Sequence, residues 1–271
     1  MARPVQDAIL LMGDSITSRQ DVPLSLYARL SEVYRRHMDI LNRGLGAYNT
    51  RFYLPLLDQF LLRREESSHP QHIRLVTIWF GANDAVLPEF LQHVPLEEYI
   101  NNLDSILALL TSKESPYSVA HDDGPLNIVL VTPPPVYPEM MGDADFAGQR
   151  NMNNTRRYAE AVMALGQKWE EKELSSKGKW KLRTVDMFQG ILQAAGGEGE
   201  PLRPYFTDGL HLSTLGYNLL WDRLSSMIDN DFKGRGLSRL DSDFTVPDWS
   251  ILDHTNPRSA VDKMKGSYKR V

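Results

Sequence analysis

The chain has 271 residues, of which 42% are hydrophobic and 24% are charged, and its formal net charge is −5. This composition is typical of a globular protein with a substantial core, and the acidic balance argues against nucleic acid as a partner. The absence of cysteine excludes disulfides, thiolate metal sites and cysteine nucleophiles. No apolar run approaches the roughly 20 residues that a membrane span needs. The apolar run near the N-terminus is too short for a secretory signal, so we expect a cytoplasmic protein.

Strand and helix patterns alternate along most of the chain. Short apolar runs that end at turns or prolines predict five buried strands, and apolar residues at helical spacing predict helices between and after them. Such alternation is typical of a single parallel sheet with helices on both faces. The strands are predicted at residues 8–12, 38–41, 73–80, 127–131 and 180–185, and the helices at 23–37, 49–64, 95–110, 150–174, 187–194 and 213–228.

The last part of the chain differs from the rest. We expect residues 1–230 to form one domain, because the alternation stops there. Residues 231–271 are polar, apart from an apolar cluster at 246–252. They are interpreted either as a tail that packs on its own domain or as a segment that contacts a second subunit or covers part of the site. The second interpretation allows a homodimer.

Several residues that can carry chemistry follow the predicted strands. Ser15 follows the first strand, Gly46 the second and Asn83 the third. Asp208 and His211 lie in the connection after the fifth strand. In open parallel sheets, ligands bind outside the carboxyl ends of the strands. We therefore expect these five residues to meet at one edge of the sheet.

These residue types make up an acyl-transfer site. A serine hydroxyl is a poor nucleophile until a neighbouring base takes its proton, and His211 is the natural base because histidine titrates near neutral pH. Asp208 lies three residues earlier and can orient the imidazole. The backbone N–H groups of Ser15 and Gly46 and the side-chain amide of Asn83 are candidate donors to the oxyanion of a tetrahedral intermediate.

Four short blocks resemble, in order and spacing over residues 8–229, those of the SGNH (GDSL-type) hydrolases. The resemblance implies a flavodoxin-like three-layer α/β/α sandwich with a five-stranded parallel sheet, and ester hydrolysis without metal or other cofactor. It also implies that Ser15 is the nucleophile, with Asp208 and His211 as the acid–base pair. The blocks are Gly13-Asp14-Ser15, Gly44-Leu45-Gly46, Gly81-Ala82-Asn83-Asp84 and Asp208-Gly209-Leu210-His211.

Two further segments, 42–46 and 247–253, look like the branch that contains the isoamyl acetate-hydrolysing esterases. This likeness implies a serine esterase for short acyl esters, acetates first, of small alcohols. A carbohydrate O-acetyl esterase and a lysophospholipase or thioesterase stay open as alternatives, because they share the site and differ in the pocket. A non-catalytic binding protein is the alternative from another class, although such members normally lack the serine, asparagine or histidine.

The substrate pocket is predicted from apolar side chains near strand ends, which belong to protein cores at least as often. Asp14 and Asp84 are interpreted as structural acceptors for backbone N–H groups in their turns, and Arg43 as a scaffold charge. No spacing of histidines or acidic residues indicates a metal site. The candidate pocket residues are Trp79, Phe80, Val136, Tyr137, Leu210 and those near Met140.

Overall fold

The computed structural model describes residues 4–66, 71–122, 124–142, 144, 146–240 and 243–265. Within these ranges five strands form one parallel sheet in the order β2-β1-β3-β4-β5. The predicted five-stranded parallel sheet is therefore confirmed, and its strand order is that of the flavodoxin-like folds. The strands are β1 (Asp7–Gly13), β2 (Met38–Gly44), β3 (Ile73–Trp79), β4 (Leu126–Val131) and β5 (Trp180–Val185).

Helices connect the strands and cover both faces of the sheet. In the described ranges, every helix is too short or too polar to cross a lipid bilayer. The helices are α1 (Ser15–Ser18), α2 (Leu26–Val33), α3 (Thr50–Tyr53), α4 (Leu57–Phe60), α5 (Leu96–Thr111), α6 (Pro138–Met141), α7 (Met152–Glu173), α8 (Met187–Ala195), α9 (Thr214–Asp229) and α10 (Ser259–Asp262).

Two apolar cores lie on opposite faces of the sheet. In β1, Ile9 and Leu11 belong to the core that contains α2, α8 and α9, whereas Leu10 and Met12 belong to the core that contains α5 and α7. Successive side chains of a strand point to opposite faces, so a strand that is covered on both faces is apolar throughout. The three-layer sandwich follows from this pattern.

The helix that was predicted over residues 49–64 is shorter and interrupted. The side chain of Asn49 accepts a hydrogen bond from the Phe52 N–H and caps the helix, but α3 already ends at Tyr53. A 3₁₀ turn that contains Pro55 follows, and α4 ends at Phe60. Proline lacks an N–H and its ring crowds the carbonyl one turn earlier, which prevents a continuous α-helix here.

The helix that was predicted over residues 23–37 is also shorter. α2 begins at Leu26, because the hydroxyl of Ser25 accepts from the Ala28 N–H and caps the helix there. The helix ends at Val33, where Tyr34 is its C-cap residue. Here the apolar spacing identified the helix, and the capping serine set its start.

The segment after α9 contacts the chain around Arg36. The Arg36 guanidinium donates to the Asp248 carboxylate at 2.9 Å and to the Pro247 carbonyl at 2.6 Å, and it lies 4.3 Å from the centre of the Phe244 ring. Trp249 nevertheless stays 70% exposed. Residues 241–242 and 266–271 of the predicted tail lie outside the described residues. The division of the chain at residue 230 stays a prediction.

Candidate active site

The turn after β1 brings Ser15 to the carboxyl edge of the sheet. The Asp14 carboxylate accepts from the Ile16 N–H at 2.9 Å and caps α1, which confirms that Asp14 serves a backbone N–H in its turn. A side chain at Gly13 would lie 2.6 Å from the Trp79 carbonyl oxygen, so only glycine fits at the end of β1. These contacts fix Ser15 as the first residue of α1.

A chain of hydrogen-bonded side chains starts at Ser15. Its Oγ lies 2.9 Å from Nε2 of His211, and Nδ1 of His211 lies 2.7 Å from Oδ2 of Asp208. The other oxygen of Asp208 accepts from the backbone N–H groups of His211 at 2.7 Å and of Leu210 at 3.0 Å. This is the arrangement in which a histidine removes a proton from a serine hydroxyl while a carboxylate holds the imidazole.

The turn that carries Asp208 and His211 is held by backbone contacts. Gly209 has a φ of +84°, which favours glycine, and a Cβ there would lie 2.3 Å from the Tyr137 carbonyl oxygen. The Gly209 carbonyl also accepts from the Tyr137 N–H at 2.8 Å. The Phe146 ring packs edge-on against the His211 imidazole, with 5.9 Å between ring centres. The position of the His211 imidazole is thus fixed by the Gly209 turn and by the Phe146 ring.

The charge state of Asp208 suits this role. Burial by itself would raise the pKa of Asp208, but the hydrogen bonds from the His211 ring and from the two backbone N–H groups outweigh it and lower the pKa below its ordinary value. The carboxylate is therefore ionised at neutral pH. An ionised Asp208 accepts from Nδ1 and leaves Nε2 to face Ser15.

The candidate oxyanion donors lie beside Ser15. Asn83 is buried, and its Nδ2 donates to the Tyr48 carbonyl at 2.8 Å, which leaves its second N–H for a ligand. In the described part of the chain, no protein acceptor is paired with the backbone N–H of Ser15 or of Gly46. A Cβ at Gly46 would meet no atom within 4 Å. Gly46 is therefore not required by packing in the free protein.

The candidate site opens into a cavity of about 450 Å³ at the carboxyl edge of the sheet. Ser15 and Asn83 come from the ends of β1 and β3, which is where the strand order reverses and where ligands of this fold class bind. The cavity is lined by Ser15, Gly46, Ala47, Asn83, Gln92, Phe146, Gln149, Arg150, Leu210 and His211.

Most of the residues that were predicted to line the substrate pocket do not line this cavity, so that prediction is corrected. Leu210 lines the cavity, but Trp79, Phe80 and Val136 are each at most 2% exposed and pack in the two cores. Tyr137 is also buried, and its contribution is the backbone contact to Gly209. Bulky side chains at strand ends complete the cores, while the walls of the cavity come from the connecting loops.

Sequence reasoning missed the residues of the loop before α7. Phe146, Gln149 and Arg150 line the cavity, but none of them was predicted as a site residue, and Arg150 was predicted to begin the helix over residues 150–174. Gln92, from the long connection after β3, was missed as well. The only local signal was Asn151, whose side chain caps α7 and so brings the preceding residues to the site edge of the sheet.

Two buried acidic side chains lie behind the site. Burial raises the pKa of Asp14 to about 7, and a hydrogen bond from the Ile16 N–H opposes that rise. Burial also raises the pKa of Asp84 to about 6, although Oδ1 of Asp84 accepts from the N–H of Thr50 at 2.9 Å and from its hydroxyl at 2.5 Å. Asp84 thus links the turn after β3 to α3, a longer link than the local turn contact that was predicted.

The expected scaffold role of Arg43 fits its contacts, since its guanidinium lies 5.9 Å from the centre of the Phe60 ring and it does not line the cavity. Among the described residues, no group of three or more histidine, cysteine or acidic side chains is placed to hold a metal ion.

A family model for GDSL-like lipases and acylhydrolases matches residues 11–219. The chain belongs to this family. The match begins in β1 and ends in α9, so it includes both the Ser15 turn and the turn of Asp208 and His211. Membership makes the protein a carboxylic ester hydrolase of the GDSL type.

Comparisons with individual proteins agree with this assignment. A GDSL esterase/lipase of Arabidopsis thaliana is 32% identical, over 94% of this chain and 97% of its own length. The isoamyl acetate-hydrolyzing esterase of Saccharomyces cerevisiae is 30% identical, over 82% of this chain and 86% of its own. An acetylxylan esterase from Geobacillus stearothermophilus superposes with a TM-score of 0.53 at 19% identity, covering 82% of this chain and 94% of that one, and so supports the fold alone.

Proposed function

We propose that the protein is a serine esterase that hydrolyses short acyl esters, acetates first, of small alcohols through an acyl-enzyme. The observation that carries the proposal is the hydrogen-bonded chain from Ser15 through His211 to Asp208, with Ser15 and His211 at the cavity. Membership of the family implies ester hydrolysis. The hydrogen bonds among the three side chains pair a nucleophile with its base.

In the first half of the reaction, Oγ of Ser15 attacks the ester carbonyl carbon and Nε2 of His211 takes the hydroxyl proton. The negative charge moves to the former carbonyl oxygen, where the N–H groups of Ser15 and Gly46 and the second N–H of Asn83 can donate to it. Collapse of this intermediate breaks the bond to the alcohol, which leaves with the proton from the imidazole.

In the second half, water replaces the alcohol. His211 takes a proton from the water as it attacks the acyl group on Ser15, and the same donors stabilise the second tetrahedral intermediate. Its collapse breaks the bond between the acyl carbon and Ser15, returns the proton to Oγ and releases the acid. Water is the only reactant that this scheme needs besides the ester.

The preference for short acyl groups is supported by the lining of the cavity. The apolar side chains of Phe146 and Leu210 line it together with the polar side chains of Gln92, Gln149 and Arg150. A long acyl chain would cover some of these polar groups and remove them from water, which costs free energy, whereas a short acyl group does not need to. The name of the yeast relative, which acts on isoamyl acetate, points to the same class of ester.

A carbohydrate O-acetyl esterase is the second candidate. The specific observation in its favour is the pair of carboxamides, Gln92 and Gln149, in the cavity wall. Carboxamides both donate and accept hydrogen bonds and so suit the hydroxyl groups of a sugar. A preference for acetylated sugars over an aliphatic acetate would favour this candidate and would leave the roles of Ser15 and His211 unchanged.

Hydrolysis of p-nitrophenyl esters from acetate to palmitate tests the proposal. The wild type should be fastest with acetate, and Ser15→Ala should lower kcat by at least about 10³-fold. Ser105→Ala, which removes an exposed hydroxyl on α5, is the matched control and should keep wild-type activity. Retained activity in Ser15→Ala would overturn the mechanism, and a maximum at palmitate would overturn the proposed class of ester.

A further inference from the structure

Arg150 is a buried arginine in the wall of the cavity. It lies two residues before the start of α7 and is only 3% exposed. Its Nε donates to the Ala82 carbonyl at 2.8 Å, and its Nη2 donates to Oδ1 of Asn83 at 2.9 Å. Nη2 also lies 3.4 Å from Oε1 of Gln92. One guanidinium therefore contacts the backbone and the side chain of the loop that carries a candidate oxyanion donor.

These contacts fix the carboxamide of Asn83 at both ends. Oδ1 accepts from Arg150 while Nδ2 donates to the Tyr48 carbonyl. A half-turn of the carboxamide would put its NH₂ against the guanidinium and its oxygen against a carbonyl oxygen, so both contacts would become repulsive. Arg150 therefore selects the orientation in which the nitrogen of Asn83, and not its oxygen, lies on the Tyr48 side with one N–H left over.

The positive charge of Arg150 has a second effect. A cation that donates to Oδ1 polarises the carboxamide and makes the N–H groups of Asn83 stronger donors, since linked hydrogen bonds strengthen one another in a weakly polar interior. Burial lowers the pKa of Arg150 to about 10, which still leaves it charged at neutral pH. Because the side chain is buried, water screens its field less than it would at the surface.

We propose that Arg150 is a positioning residue of the oxyanion hole, acting through the side chain of Asn83. By holding Oδ1 it sets the direction and strength of the remaining N–H, which is used when negative charge develops on the substrate. The inference rests on the proposed esterase function. Its effect belongs to the transition state, so loss of Arg150 should lower kcat and leave KM nearly unchanged.

A purely structural role predicts different behaviour. Arg150 also contacts the Ala82 carbonyl, so removing it can loosen the loop after β3 without any special effect on Asn83. Such loosening would lower activity to a similar degree whether or not the side chain of Asn83 is present. The two roles therefore separate in a double-mutant cycle between Arg150 and Asn83.

The experiment measures kcat and KM for p-nitrophenyl acetate in the wild type, Arg150→Met, Arg150→Lys, Asn83→Ala and the two double variants. We expect Arg150→Met to lower kcat by about 10- to 100-fold, with KM within threefold, by comparison with the loss of one oxyanion donor. Arg150→Lys should lie between the wild type and Arg150→Met, because it keeps the charge and loses the planar guanidinium. In the Asn83→Ala background either change should cost less than threefold.

Arg157→Met is the matched control, because Arg157 is an exposed arginine on α7 and should tolerate the change with wild-type kinetics. Equal losses in both backgrounds, or an unchanged kcat in Arg150→Met, would overturn the inference. If Arg150→Met does not fold, the cycle with Arg150→Lys decides by the same criterion. A wild type whose hydrolysis does not depend on Ser15 would instead contradict the proposed function, so the two failures are distinguishable.

Discussion

Nε2 of His211 lies 2.9 Å from Oγ of Ser15, although 196 positions separate the two residues in the chain. Two contacts bring them together. The hydroxyl of Tyr217, in α9, donates to the Ile16 carbonyl at 2.5 Å and joins α9 to the Ser15 turn. The Gly209 carbonyl accepts from the Tyr137 N–H and joins the His211 turn to the segment after β4. These two long-range hydrogen bonds therefore help to hold the Ser15 and His211 turns together at the carboxyl edge of the sheet.

The contact at Gly209 gives the first prediction. Gly209→Ala places a Cβ 2.3 Å from the Tyr137 carbonyl oxygen in a residue with φ of +84°. We expect it to lower the free energy of unfolding by about 2 kcal/mol or more, because a left-handed conformation with a side chain costs about 1–2 kcal/mol and the clash adds to it. It should also lower kcat, since the turn that carries His211 must move. Urea denaturation and kinetics with p-nitrophenyl acetate measure both effects.

Gly46→Ala is the matched comparison at the other end of the site. Its Cβ would meet no atom within 4 Å, so the free energy of unfolding should stay within about 0.5 kcal/mol of the wild-type value. Gly46 lines the cavity, and the added methyl group should therefore raise KM for bulky esters more than for acetate. If Gly46→Ala destabilised the protein as much as Gly209→Ala, this account of the two glycines would be wrong.

The second prediction concerns the candidate donor Asn83. Asn83→Ala removes an N–H from the transition state and should lower kcat by about 10²–10³-fold, as loss of one oxyanion donor does elsewhere. Since Ser15, His211 and Asp208 are untouched, the rate at which the sulfonylating reagent phenylmethylsulfonyl fluoride modifies Ser15 should fall much less than kcat does, and Ser15→Ala should not be modified at that position. Steady-state kinetics and mass spectrometry of the modified protein measure these rates. A loss in kcat below tenfold would remove Asn83 from the oxyanion role.

The extent to which the sequence determines this site differs between its parts. The strands were predictable because β1 and β3 are apolar on both faces, and residues after parallel strands share one edge by geometry. Ser15 and Asn83 could therefore be placed at that edge from the sequence alone. His211 could be placed beside Asp208, since a separation of three residues lets a turn fold one side chain onto the other.

The walls of the cavity could not be predicted in the same way. Trp79 and Phe80 lie at the end of a strand, where pocket residues are often found, but both are buried. Whether a side chain at such a position faces a cavity or the core depends on the helices that pack against it. Arg150 shows the opposite error. A charged side chain usually stays at the surface, whereas carbonyl and carboxamide oxygens on distant loops make the burial of Arg150 favourable.

The third prediction concerns the contact between Arg36 and the C-terminal segment. Arg36→Ala removes the donor to Asp248 and the cation beside the Phe244 ring. We expect limited trypsin digestion to cut the Lys263 region faster, with kcat for p-nitrophenyl acetate unchanged, because Arg36 is not among the residues that line the cavity. Arg35→Ala, at the exposed neighbouring position, should be cut at the wild-type rate. Equal digestion of all three proteins would mean that the segment is held by other contacts.

The last prediction concerns the pH dependence of stability. Burial raises the pKa of Asp14 from its ordinary value to about 7, so the folded chain binds the Asp14 proton more tightly than the unfolded chain. Asp14 therefore favours folding below about pH 4, and this contribution is lost as the pH rises toward 7. Asp14→Asn keeps an oxygen for the Ile16 N–H without the charge. Urea denaturation from pH 4 to 8 should show the wild type losing stability relative to Asp14→Asn until about pH 7, whereas parallel curves would mean that Asp14 ionises normally.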